Sequence, residues 1–172
     1  TGAIICLLLV LSCASAVCSR AADYYIDANN PSASDSNSGT ASSPWRTLTK
    51  ANSTLTNGST VYIRAGTYSA GVNPSRSGIA ARPIVYSAYP GESPVVSNLA
   101  AACVISGKAY ITVSGIQFKY ADGFLDMRRA TNCVITNCVF GPGRSMGNWS
   151  GSNIKSYSSS NIVSGCTFFH WG

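Results

Sequence analysis

The chain has few side chains able to do chemistry. Its acids are Asp23, Asp27, Asp35, Glu92, Asp122 and Asp126, set against twelve Lys or Arg and one histidine, His170. Lys119, Asp122, Asp126, Arg128, Arg129, Arg144 and His170 all fall in the last third of the sequence. Such a mixture suits an anionic ligand, because an Arg guanidinium meets a carboxylate through two parallel hydrogen bonds. The competing reading is a set of solvated turn residues with one ordinary surface ion pair, worth under about 1 kcal/mol. His170 has no visible partner to make it a general base. Glycoside hydrolysis needs two carboxylates about 5–9.5 Å apart. Only Asp122 and Asp126 are close in sequence, in what reads as a turn region.

Metal chemistry finds less support. Asp35-Ser36-Asn37-Ser38-Gly39, with Asp27 and Asn29 nearby, resembles the opening of a calcium loop. It lacks a third acidic ligand and the bidentate Glu twelve positions along, and Asx-rich turns arise without metal. The expectation is therefore a structural loop. No Cys-x-x-Cys pair exists, and one His cannot complete a zinc site. No metal site is predicted.

A repeat places the late polar residues. Tyr110–Phe118 reads YITVSGIQF, Asn132–Phe140 reads NCVITNCVF, and Asn161–Phe168 reads NIVSGCTF. β-Branched residues alternate with polar ones, then comes Gly or Asn, then Ile or Cys, then Phe two places on. Alternation with period two marks strands, and Gly or Asn marks the bend between them. A β motif recurring at such spacing means a solenoid whose turns bury their inward faces against one another. The expected fold is all-β: a right-handed parallel β-helix with an N-terminal capping helix, C-terminally incomplete. Ile116, Cys138 and Cys166 should stack inside, as should Phe118, Phe140 and Phe168, with Gly115, Asn137 and Gly165 at one corner. Residues at equal offsets after each Phe should then lie about 4.8 Å apart on adjacent coils. Lys119, Asp122, Arg144 and His170 would form one polar strip, with Arg128 and Arg129 in the loop between coils. These six are the candidate substrate-binding residues, and no catalytic residue is assigned.

Ser43–Leu55 is the helix candidate, with Ser43 as cap, Pro44 at its first position, and Trp45, Leu48, Asn52 and Leu55 on one side. Asn57-Gly58 should turn the chain into the strand Val61–Arg64. Arg64 is expected to be structural. Of Tyr62, Tyr68, Tyr86 and Tyr89, alternation makes about half core and leaves the others as candidate sugar-stacking faces.

DYYIDANNPSASDSNSGTASSPWRTLTKA, VYIRAGTY, RPIVYSAYPGESPVV and SGKAYITVSGIQF together resemble the N-terminal part of secreted β-helix proteins of the pectate-lyase-like superfamily. The similar branches are the chondroitinase B/alginate lyase type and pectate lyases sharing this cap. The resemblance spans roughly Asp23 to Phe118. It implies an acidic polysaccharide partner and, in the lyase branches, β-elimination from a uronic acid, with calcium a feature of the full-length protein. The superfamily also holds hydrolases, epimerases and binding proteins, so fold does not decide activity.

Residues 1–16 read as a secretory leader: an apolar run, Ile4–Leu11, is followed by Ala14-Ser15-Ala16. Residues 17–42 then form a strand and an Asx/Ser-rich loop, and 43–172 the capping helix and first coils. Val10–Cys13 loosely resembles a lipidation box, which would leave the product surface-anchored. Eight apolar residues are too few to span a membrane. The remaining Cys18, Cys103, Cys133, Cys138 and Cys166 are odd in number and irregular in spacing, unlike a small disulfide framework. Asn52, Asn57 and Asn148 begin glycosylation sequons, relevant in a eukaryotic secretory route.

A net charge of +6 without a Lys/Arg cluster speaks against nucleic acid and for an acidic glycan. The leading expectation is a secreted β-helix that acts on or binds acidic polysaccharide, as a uronate-targeting lyase if it is an enzyme. Its rivals are a glycoside hydrolase, a non-catalytic adhesion module, and the N-terminal scaffold of a larger enzyme.

Overall fold

The computed structural model describes residues 21–97, 99–143 and 159–169. The leader, Cys18, Arg144, Asn148 and His170 lie outside them.

The described elements run β1 (Asp23–Ile26), α1 (Leu48–Thr54), β2 (Thr60–Ile63), β3 (Thr67–Tyr68), β4 (Ile84–Ala88), β5 (Val95–Ser97) and β6 (Ala101–Val104). They continue β7 (Ile111–Ser114), β8 (Gln117–Lys119), β9 (Gly123–Asp126), β10 (Val134–Thr136), β11 (Val139–Phe140), β12 (Ile162–Ser164) and β13 (Thr167–Phe168). Strands β1-β2-β4-β7-β10-β12 form one sheet, β3-β5-β8-β11-β13 a second, and β6-β9 a third. Every strand pair is parallel. The molecule is a mostly-β parallel solenoid with one short helix.

Alternation produces the coils as the repeat predicts. In the first sheet Val61, Tyr86, Val113 and Ile135 stand in register and are fully buried. Burying each such side chain is worth roughly 1.5–3 kcal/mol. Past the sheet, Gly115, Asn137 and Gly165 adopt the left-handed conformation, with φ of 72°, 53° and 61°. That conformation favours Gly and, less strongly, Asn. Ile116 and Cys138 then point into the core, with Cys166 half-buried on the outermost described coil. The rings of Phe118, Phe140 and Phe168 stack at 5.1 and 5.0 Å, nearly coplanar in orientation.

Two features depart from the sequence expectation. Each complete coil has a third face, β6-β9 extended by a bridge from Val72 to Cys103, where the repeat suggests only loop. Its strands carry two adjacent buried residues rather than alternating ones, Ala102-Cys103 and Phe124-Leu125. A second left-handed column, Tyr110, Asn132 and Ser160, also leads into the first sheet.

The helix is shorter than predicted. It starts at Leu48 with Thr47 as its cap, not at Pro44 with Ser43. Trp45 is held in extended conformation by a parallel bridge along the free edge of β1, donating to Tyr25 O and accepting from Asp27 N on either side of Ile26. The Asp35 carboxylate accepts the amides of Arg46 and Thr47 and the Thr47 hydroxyl. These bonds delay the first turn. Trp45 then stacks on Tyr24 at 4.4 Å, while Leu48, Ala51 and Leu55 join the core beneath. Asn52, expected on that face, donates its amide to Gly71 O and accepts Asn73 N.

Candidate functional site

The solenoid register decides which of the polar candidates meet. Lys119 ends β8 and pairs with Ser97 on the preceding coil. Tyr120 then donates its amide to Pro142 O, and Asp122 donates its amide to Leu99 O. The corner between the second and third sheets is thus layered coil on coil, as equal offsets require. Lys119 is half-buried and Asp122 exposed.

Asp126 closes β9 rather than lying in a loop. Its two oxygens take Nε and Nη2 of Arg128, the closest approach being 2.6 Å. Arg129 follows in left-handed conformation, exposed and without a side-chain partner among the described residues. The turn is stacked on the coil before it, since Arg128 O accepts Gly107 N and the Ser106 hydroxyl.

The four described candidates therefore fall at two places. Lys119 and Asp122 mark one corner of the third face, and Arg128 and Arg129 the other, with β9 between them. Arg144 and His170 lie outside the described residues. An extended strand rises about 3.3 Å per residue, so the Cα atoms of Asp122 and Asp126 stand up to about 13 Å apart.

Among the described residues, no three His, Cys, Asp or Glu side chains converge. Asp35 is spent on the helix entry, and Asp27 accepts the amides of Asn29 and Asn30. The Asp35 segment is a structural Asx-rich loop.

Glu92 is engaged as well. It accepts Arg64 Nε at 2.8 Å and the Ala65 amide, and these bonds, the Ala65 amide first, hold its carboxyl below the ordinary carboxylate value. The Arg64 guanidinium lies 4.6 Å from the Tyr89 ring centroid. Arg64 is structural, as expected. Tyr68 and Tyr86 are core, and burial pushes the Tyr68 phenol up to about 12. Tyr62 and Tyr89 instead pack with Tyr25 outside the first sheet, at centroid distances of 5.4–6.3 Å. Tyr25 escaped the sequence reading, although its place opposite Tyr62 follows once β1 and β2 are paired.

Comparison with known proteins fits this architecture. The family described as "Pel9A-like, right handed beta helix region" matches residues 24–170. The chain belongs to that family. Its handedness and its pectate-lyase-like character follow from the membership. "Pectate lyase PEL9" of Emericella nidulans is 38% identical over 80 residues, covering 45% of this chain and 19% of that protein. "Uncharacterized protein YwoF" of Bacillus subtilis is 39% identical over 69 residues, covering 40% of this chain and 15% of that protein. The matched stretch thus spans less than a fifth of either relative. A solved structure named rhamnogalacturonan lyase superposes on 86% of this chain and 51% of its own, with a TM-score of 0.52 at 19% identity, a likeness of fold. Among the described residues no helix is long and apolar enough to cross a membrane.

Proposed function

We propose that this Pel9A-like protein binds an acidic polysaccharide outside the cell, as part of a system that cleaves uronate polymers by β-elimination. The observation that carries the reading is the 80-residue match to a protein named pectate lyase. Lys119 and Arg129, cations on the third-face side with no carboxylate partner among the described residues, would take the uronate carboxylates. In elimination, a cation at the carboxylate makes the neighbouring C–H proton removable. A basic side chain takes that proton, the bond to the leaving sugar oxygen breaks, and a carbon–carbon double bond remains. The extracellular placement rests on the leader at 1–16.

A second reading, binding without chemistry by these residues, has its own support: Arg128 is tied to Asp126 and Glu92 to Arg64. Incubation with polygalacturonate, alginate and chondroitin, with binding and the ultraviolet absorbance of unsaturated product both followed, tests whether these residues bind, cleave or do neither. The expected result for this chain is binding to polygalacturonate with no product. Product above a heat-inactivated control would place a catalytic base within these residues and overturn the binding-only reading. Failure to bind any of the three polymers would overturn both.

A further inference from the structure

We propose that Cys138 and Cys166 form a disulfide that ties together the two outermost described coils. Both residues follow the left-handed corner, after Asn137 and Gly165. The strands beyond them pair in register, Val139 with Thr167 and Phe140 with Phe168, and Thr167 donates its amide to Cys138 O. Cys138 and Cys166 therefore occupy one column, a single rung apart, about 4.8 Å between Cα atoms. A disulfide accepts Cα separations of about 4.4–6.8 Å.

The side chains share an orientation too. Each thiol donates to the carbonyl two residues back, Thr136 O or Ser164 O, and reaches a carbonyl one coil earlier, Val113 O or Ile135 O. Among the described residues no other Cys has a Cys beside it in its column. Cys133 faces Asn161, whose side-chain oxygen accepts its amide, and Cys103 lies in register with Val72 and Leu125.

A low-molecular-weight disulfide such as oxidised glutathione is the oxidant. Cys166 is the half-buried member and meets it first. Its thiolate attacks one sulfur, the small S–S bond breaks, and one small thiol leaves with the proton Cys166 has lost. Cys138 then attacks the Cys166 sulfur, and the second small thiol departs with the Cys138 proton. The protein thiols lose two electrons, and the small disulfide gains them. Burial pushes the Cys138 thiol up to about 12, which makes the second step the slow one.

The test is to equilibrate the reduced chain with oxidised glutathione and map tryptic peptides without reduction. Residues 130–144 and 156–172 should appear linked in the wild type and in Cys133→Ser, and unlinked in Cys138→Ser and Cys166→Ala. The closed loop should raise Tm by about 5–10 °C over the reduced protein, and dithiothreitol should reverse the rise. The linkage is lost in Cys166→Ala, at the half-buried position, even should Cys138→Ser fail to fold. A linkage through Cys103 or Cys133, or a chain still fully reduced after oxidation, would overturn the proposal.

Discussion

Tyr86 brings a phenol hydroxyl into the core, where it has no hydrogen-bond partner among the described residues. Burial drives its pKa upward, so the phenol stays neutral there. An unsatisfied buried donor costs about 1–3 kcal/mol. Tyr86→Phe keeps the ring and removes that cost, so it should raise Tm by about 2–12 °C in thermal unfolding, whereas a fall would mean the hydroxyl has a partner. Glu92 sets the acid side of stability. Its carboxyl lies below the ordinary 4.5 in the fold, so its contribution is complete above that value and is lost as pH falls through the lowered one. Unfolding followed from pH 6 to pH 2 should therefore show a smaller acid loss in Glu92→Gln than in the wild type. The inward role of Cys138 and Ile116 was legible because the corner Gly or Asn gives the phase. Asn52 was misread because its polarity serves two backbone groups rather than the helix face.

The stacked Phe column shows how far a single strand pair depends on its neighbours. Phe140 has a ring above and below it and is 1% exposed, while Phe168 has one ring neighbour among the described residues and is 42% exposed. Phe140→Ala should cost about 3–5 kcal/mol, and Phe168→Ala distinctly less, measured by denaturant unfolding. Equal losses would show that the column does not act as a ladder. The first two strands of each coil were legible because period-two alternation survives in ITVS and VIT. The third was not, since AACV and GFLD bury two neighbours in succession and offer no alternation. The helix start failed for a different reason: Asp35, twelve residues before Thr47, decides it by tertiary hydrogen bonds that no local cap signal announces.

Across the whole molecule, coil stacking converts sequence offsets into surface positions. That conversion placed Tyr120 over Pro142, as equal offsets after Phe118 and Phe140 imply, and the structure adds Asp122 beside Leu99. It also sets a third face between Lys119 and Asp122 at one corner and Arg128 and Arg129 at the next, while Arg144 and His170 of the predicted strip lie outside the described residues. Lys119 on one side of β9 and Arg129 on the other suit a polymer lying along the face better than a small ligand held at a point. Electrostatic binding of that kind weakens as salt rises. Calorimetric titration of this chain with polygalacturonate, in low and physiological salt, tests the polysaccharide assignment most directly. The prediction is saturable binding that weakens with salt and loses roughly tenfold in affinity in the Lys119→Ala/Arg129→Ala double variant, on the order of 1.4 kcal/mol. Binding to a neutral glucan of equal strength, or polygalacturonate affinity unchanged in that variant, would contradict it.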